Sequence, residues 1–119
     1  MPTHHNIKTK RIDGPPSADD RYRVPVDRLW PRRVRKEDAK LDDRMKSLAP
    51  SPSLRKWFDH RPDRFEEFTI RYREALAEEA EILMLLSKLS DTKRVTLLYA
   101  AKDAAINHAV VLPDVLQTM

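Results

Sequence analysis

Three stretches of the chain carry the short apolar patterns of β-strands. Ile7–Ile12 alternates apolar and polar side chains, and Tyr22–Leu29 does so around Pro25. Because proline donates no ladder hydrogen bond, we expect this second strand to lie at a sheet edge or to carry a bulge. Val95–Ala101 is a continuous apolar run with β-branched residues, which is typical of a strand covered on both faces.

Apolar residues elsewhere recur at three- and four-residue steps, the spacing that predicts amphipathic helices. The predicted helices are Lys36–Leu48, Leu54–His60, Phe65–Leu89 and Ala104–Leu116. The second of these is expected to take Ser51 or Ser53 as its N-cap and Pro52 as its first helical residue. The third pauses in its apolar stripe after Leu76, so we expect two helical segments there.

The order of these elements is strand, strand, helices, strand, helix. Strand–helix–strand connections of this length favour parallel neighbours and a right-handed crossover. We therefore expect an α/β fold, with one small domain over residues 1–119 in which residues 1–6 are loosely held. Its sheet is expected to be short and mainly parallel, with about three strands flanked by helices. A ligand crevice in such a fold lies outside the carboxyl ends of the strands.

Composition excludes several classes of site. The 119 residues include no cysteine, which excludes disulfides, thiolate nucleophiles and thiolate metal sites. Gly-rich phosphate-binding loops need more than the single glycine present. His4 and His5 lack a second pair of ligands, so we expect no metal and no cofactor. The sequence has neither an apolar signal region nor a membrane-spanning stretch, so we expect a cytoplasmic protein with no membrane partner.

Positive charge is concentrated in the first half of the chain. Lys and Arg number 23 against 19 Asp and Glu, which gives a net charge of +4 and a pI near 9.5. Residues 1–60 hold 15 of these cations and 9 of the acids, a net of +6, whereas residues 61–119 have a net of −2. The densest basic stretch, Arg28–Lys36, is compatible with nucleic-acid binding and also with a solvated loop.

Polar and aromatic residues cluster where the second and third predicted strands end. Because parallel strands share one carboxyl edge, we expect these residues to meet there. The candidate ligand-binding residues are Asp27, Arg28, Trp30, Arg32, Tyr99, Lys102 and Asn107. Arginine and lysine suit a phosphate or carboxylate, and tryptophan suits stacking on a ring. Asp103 and His108 are the candidate acid–base residues.

Each of these candidates also has a structural interpretation, which stays open at this point. Asp27 suits an ion pair with Arg28 or Arg32 that fixes a turn, and Trp30 suits covering the end of the sheet. Asp103 is placed to cap a helix that begins at Ala104. A histidine on a helix beside an asparagine, as His108 is beside Asn107, is more often structural than catalytic.

The same segments resemble the motifs of a known family. Residues 22–42 read YRVPVDRLWPRRVRKEDAKLD, residues 48–76 read LAPSPSLRKWFDHRPDRFEEFTIRYREAL, and residues 95–112 read VTLLYAAKDAAINHAVVL. From about Ile7 to Leu116 the chain resembles the YeaO-like family, a branch of a larger group known as a domain of unknown function. The resemblance implies a small α/β fold and implies no activity.

The chain departs from the family pattern at two motifs. Arg33 stands where the family motif VDRLWPRG has its glycine. If that turn needs a positive φ, arginine there costs about 1 kcal/mol. Asp43 and Arg44 replace an apolar pair, which weakens any apolar interface on that face. The resemblance also implies that longer relatives carry a cysteine and a second basic residue near the second motif, where this chain has Tyr99 in one such place and no cysteine.

These observations favour a domain that binds a small anionic, phosphate- or nucleotide-like ligand at the carboxyl edge of its sheet. One alternative is an enzyme in which Asp103 or His108 acts as acid or base on a phosphate- or ribose-containing substrate. A nucleic-acid-binding module and a protein-interaction module are the others. The sequence leaves the oligomeric state open.

Overall fold

The computed structural model describes residues 6–27, 30, 34–35, 37, 40–42, 45–101 and 106–117. Its sheet has three parallel strands, β1 (Ile7–Arg11), β2 (Tyr22–Pro25) and β3 (Val95–Tyr99). The spatial order is β1-β3-β2, so β3 is central and all five of its residues are buried. The predicted α/β fold with a short parallel sheet is confirmed.

Pro25 lies in an edge strand, as its missing donor requires. The backbone amides of Tyr22 and Val26 donate to the carbonyls of Arg94 and Leu98, at 3.0 and 3.1 Å, so these residues face β3. Since successive residues of a strand point their amides to opposite sides, the Pro25 nitrogen faces the outer edge of β2. The proline therefore removes no hydrogen bond from the sheet.

Four α-helices of seven residues or more lie within the described ranges. They are α1 (Pro52–Phe58), α2 (Phe65–Leu76), α3 (Ala80–Thr92) and α4 (His108–Gln117). A 3-10 turn over Ala77–Glu79 separates α2 from α3, which confirms the two predicted segments. Ser51 caps α1 by accepting a hydrogen bond from the Leu54 amide at 3.2 Å, with Pro52 as the first residue. No helix within the described ranges is long and apolar enough to cross a membrane.

The predicted helix over Lys36–Leu48 is wrong as a continuous element. Glu37 is helical, but residues 40–42 and residue 45 are not, and a 3-10 turn covers Lys46–Leu48. Lys40 has a φ of 53°, which a helix cannot accommodate.

The hydrogen bonds of this segment go to the outer edge of β2 instead. The Asp42 amide donates to the Arg23 carbonyl at 3.0 Å, and the Arg23 amide donates to the Asp42 carboxylate at 2.9 Å. The Met45 amide donates to the Pro25 carbonyl at 3.2 Å. An exposed strand edge leaves backbone hydrogen-bonding groups unpaired. The hydrogen bonds gained at this edge therefore stabilise the segment more than a helix formed on its apolar spacing would.

One face of the sheet carries the hydrophobic core. Alternate residues of β2 and β3 point to it, and the helices cover them. The largest fully buried side chains of this core are Val24, Val26, Leu48, Phe68, Tyr72, Leu76, Leu86, Val95, Leu97, Leu112 and Leu116. Burial of this kind supplies the main driving force for folding.

The opposite face of the sheet carries a buried carboxylate, Asp20, whose side chain is fully inaccessible to solvent. Lys8, Lys10 and Arg23 all form ion pairs with it, at 2.7 and 2.9 Å for the two lysines. Burial by itself opposes ionisation, but hydrogen bonds from these cations and from the Ser17 amide outweigh it. They hold the pKa of the Asp20 carboxyl well below its ordinary value.

The Asp20 cluster, made of Asp20, Lys8, Lys10 and Arg23, links the loop after β1 to all three strands. Thr96 of β3 donates its hydroxyl to the Asp20 carbonyl at 2.7 Å. In the register of the sheet Lys8 of β1 and Arg23 of β2 both lie opposite Thr96. The cations of the cluster therefore come from the two strands that flank β3. The cluster thus binds the loop to the face of the sheet opposite the hydrophobic core.

Candidate functional site

The carboxyl edge of the sheet holds an aspartate that joins three elements. Asp27 follows β2, and one of its carboxylate oxygens accepts a hydrogen bond from the Ala100 amide, just beyond β3, at 2.7 Å. The other oxygen lies 2.9 Å from Nε2 of His108, the first residue of α4. The end of β2, the end of β3 and the start of α4 are therefore fixed by one side chain.

Two hydrogen-bond acceptors face one ring nitrogen of His108. Its Nε2 lies 2.9 Å from the Asp27 carboxylate and 3.0 Å from the Val26 carbonyl. Both oxygens accept hydrogen bonds only, so Nε2 carries a hydrogen in this arrangement. Asp27 thus holds a histidine of the closing helix, whereas Arg28 and Arg32, the ion-pair partners expected from the sequence, lie outside the described residues.

Tyr72 of α2 lies beneath this pair. Its ring meets the His108 ring edge-on, with centroids 6.0 Å apart, and its hydroxyl donates to the Leu48 carbonyl. Burial, assisted by the negative charge of Asp27, raises the pKa of the Tyr72 phenol well above its ordinary value. Tyr72 is therefore a neutral donor that supports the pair from the core.

Aromatic rings form one wall of the site. Phe58 from α1 stacks on Phe68 from α2, with centroids 4.3 Å apart and planes 20° apart. Trp30 lies on the segment after β2 and donates its indole Nε1–H to the Val34 carbonyl at 2.6 Å. Since Phe58 and Phe68 are buried, this wall is rigid and apolar.

Two basic residues lie where the site meets solvent. Arg55 and His60 are exposed, and both line the same cavity as the buried rings. His60 reaches its place because Asp59 and His60 both have a positive φ, of 51° and 54°, directly after α1. Left-handed backbone costs a non-glycine residue about 1 kcal/mol or more, and such strain often accompanies functional sites.

The cavity between these groups has a volume of about 280 Å³. Its lining residues are Asp27, Trp30, Ala49, Pro50, Arg55, Phe58, His60, Phe68, Ala100, Ala101, Asn107 and His108. It runs from a basic, exposed rim to an aromatic interior with the Asp27–His108 pair in its wall. We call it the inner cavity.

Four of the residues proposed from the sequence meet in the inner cavity. They are Asp27, Trp30, Asn107 and His108. Asn107 also has a structural role, since its side-chain oxygen accepts from the Val110 amide at 3.2 Å at the start of α4. Tyr99 lies in the core, 4% exposed, and is not among the lining residues. Outside the described residues lie Arg28, Arg32, Arg33, Lys102, Asp103 and Ala104.

Sequence reasoning missed the contribution of α1 and α2 to this site. Arg55, Phe58 and Phe68 all line the inner cavity, yet they lie far along the chain from the strand ends. Their spacing indicates amphipathic helices and nothing more. Only the packing of α1 and α2 against the sheet edge brings these residues to Asp27. Among the described residues, no group of three His, Cys, Asp or Glu side chains suits a metal ion.

Comparison with protein families adds an independent observation. The model of a family described as "Inactive DUF488-N3 subclade" matches residues 6–119. An uncharacterized protein of Mycobacterium tuberculosis is 40% identical over 110 residues, which are 92% of each chain. Uncharacterized protein YeaO of Escherichia coli is 39% identical over 114 residues, 96% of this chain and 99% of that protein. These matches confirm the resemblance to the YeaO-like family. No solved structure is significantly similar to the chain.

Proposed function

Because the chain belongs to the family described as the inactive DUF488-N3 subclade, we propose that it is a binding domain whose ligand is a small anion. The observation that carries this proposal is the inner cavity at the carboxyl edge of the sheet. Ligands of open α/β sheets bind at this edge. The family description favours binding without turnover.

The charges of the rim determine which ligand suits the inner cavity. No carboxylate in the described ranges lies within ion-pair distance of Arg55, whereas Arg61 pairs with Asp63 at 3.1 Å and Arg71 with Glu67 at 2.6 Å. An unpaired guanidinium at a cavity mouth suits a phosphate or carboxylate, which it binds through two parallel hydrogen bonds. His60 on the same rim supplies a further donor.

The interior of the cavity suits a flat ring. Phe58 and Phe68 make part of the lining apolar, and the partly exposed Trp30 is the aromatic side chain on which a ring stacks favourably. Asp27 and Asn107 add polar groups to this lining. The ligand that fits these features best is a nucleotide-like compound, with its ring inside and a phosphate at Arg55.

A thermal-shift titration with inorganic phosphate and nucleoside monophosphates tests this proposal. At a ligand concentration a hundredfold above Kd, binding adds about 2.7 kcal/mol to the free energy of unfolding. We expect such probes to raise the Tm of the wild type and to leave that of Arg55→Gln nearly unchanged. Arg61→Gln is the matched control, because Arg61 is exposed and does not line the inner cavity.

Two results would overturn the proposal. One is that no phosphate-bearing probe shifts the Tm of the wild type. The other is that Arg55→Gln is stabilised as much as the wild type, which would place the anion elsewhere.

One observation favours a second candidate, an acid–base enzyme. A histidine whose Nε2–H is held by a carboxylate, as His108 is held by Asp27 at 2.9 Å, is the arrangement that stabilises a transient imidazolium. Incubation with nucleoside monophosphates, followed by chromatography for released base or phosphate, separates the two candidates. Release of base or phosphate by the wild type but not by His108→Ala supports the enzyme. Release by neither protein supports the binding domain.

A further inference from the structure

A second concavity lies directly outside the inner cavity. Its lining residues are Pro52, Ser53, Arg55, Lys56, Asp59 and His60, and its volume is about 710 Å³. We call it the outer groove. Arg55 and His60 line both spaces, so the two adjoin at the rim.

Because the two spaces share these residues, we propose that the ligand is an extended anion with at least two charged groups, one at the rim and one in the outer groove. This inference rests on the proposed function of the inner cavity. The outer groove thereby becomes a second subsite, in which Lys56 binds the outlying charge.

The sizes of the two spaces support an extended ligand. Small-molecule sites commonly measure about 300–1,000 Å³. The inner cavity, at about 280 Å³, lies just below that range and accommodates a single ring or a compact group. A ligand that fills it and also carries a phosphate chain must continue over the rim, and the outer groove is the space it enters.

The cations of the outer groove are available to a ligand. Within the described ranges, no carboxylate lies within ion-pair distance of Arg55 or Lys56, although the two are consecutive on α1. Elsewhere on the surface Arg94 pairs with Asp19 at 2.7 Å. Because both side chains line the outer groove, an anion with two charged groups gains a favourable interaction with each of them.

Asp59 supplies the opposing charge in the same groove. Asp59 follows the last residue of α1, and its amide donates to the Arg55 carbonyl at 3.0 Å. Its backbone is left-handed, so the chain turns away from the helix axis at this residue. A carboxylate there repels any anion in the outer groove. Removing its charge is therefore expected to strengthen binding of a long anion, the reverse of the effect of removing Lys56.

Isothermal titration of the full chain with orthophosphate, pyrophosphate and tripolyphosphate at fixed ionic strength tests the second subsite. We expect the affinity of the wild type to rise with anion length. Lys56→Gln is expected to weaken tripolyphosphate binding about fivefold, the effect of one exposed charge pair, and to change orthophosphate binding less than twofold. Asp59→Asn is expected to strengthen tripolyphosphate binding. Lys88→Gln on α3 is the control for net charge.

The outcomes separate the two proposals. If orthophosphate binding depends on Arg55 but longer anions bind no tighter, the second subsite is refuted and the anion site of the inner cavity stands. If Lys88→Gln weakens tripolyphosphate as much as Lys56→Gln does, the length effect is non-specific and the subsite is again refuted. If none of the three anions binds, both proposals fail.

Discussion

The Asp20 cluster provides the sharpest prediction for stability. In Asp20→Asn the side chain keeps its size but loses its charge, while Lys8, Lys10 and Arg23 remain in place around it. Breaking a buried ion pair by removing one partner costs about 3–5 kcal/mol. The Lys8 and Lys10 side chains are 31% and 22% exposed, so water compensates part of the electrostatic stabilisation that they lose with the carboxylate. The Arg23 side chain is only 4% exposed, so its charge is left buried without that compensation. We therefore expect a loss of about 3 kcal/mol, at the lower end of this range.

The pH dependence gives this prediction a second readout. The pKa of Asp20 is lower in the folded protein than the ordinary value of about 3.9 that applies to the unfolded chain. A depressed pKa contributes stability that is fully present above the unfolded value and is lost as the pH falls through the folded value. The difference in unfolding free energy between wild type and Asp20→Asn is thus constant from about pH 5 to 8 and narrows below about pH 4.

Urea unfolding at a series of pH values, followed by tryptophan fluorescence, measures this difference. At neutral pH the expected loss corresponds to a fall in Tm of about 10 °C for a chain of this size. Glu67→Gln is the control, because it breaks an exposed pair with Arg71 and is expected to cost no more than about 0.5 kcal/mol. A loss below about 1 kcal/mol in Asp20→Asn, or a gap that is the same at pH 3 and pH 7, would refute the reasoning.

Two further predictions concern the candidate site. His60→Gly is expected to raise the unfolding free energy by about 0.5–1 kcal/mol relative to His60→Ala, because glycine alone accepts the φ of 54° without strain; equal urea midpoints for the two variants would contradict this. Phe68→Ala is expected to lower the unfolding free energy by about 3–5 kcal/mol, because Phe68 is 1% exposed and stacks on Phe58; a loss below about 1 kcal/mol in the same assay would show that the aromatic wall is not tightly packed.

The sequence predicts correctly those elements that depend on interactions between residues close together in the chain. The Ser51 cap and the proline after it form the start of α1 as expected, since a side-chain oxygen and a fixed φ need no distant partner. The uninterrupted apolar run of β3 likewise predicts a strand buried on both faces. In the same way, the edge position of Pro25 follows from its missing donor.

Residues 40–45 show where local patterning is insufficient. Their apolar spacing favours a helix, but the amides of Asp42 and Met45 donate to the outer edge of β2 instead. The spacing of a few apolar residues contributes less free energy than the burial and pairing of an otherwise open strand edge. That edge exists only once the sheet has formed, so the sequence segment alone cannot reveal it.

The sequence by itself determined the α/β class, the parallel sheet and the edge at which Asp27, Trp30, Asn107 and His108 meet. These follow from element order, because parallel strands share one carboxyl edge. Only the tertiary structure decided that Asp27 holds His108, that Arg55 and Phe68 complete the cavity, and that Asp20 is buried among three cations. Each of these depends on contacts between residues that are distant in the chain, and no local pattern encodes such contacts.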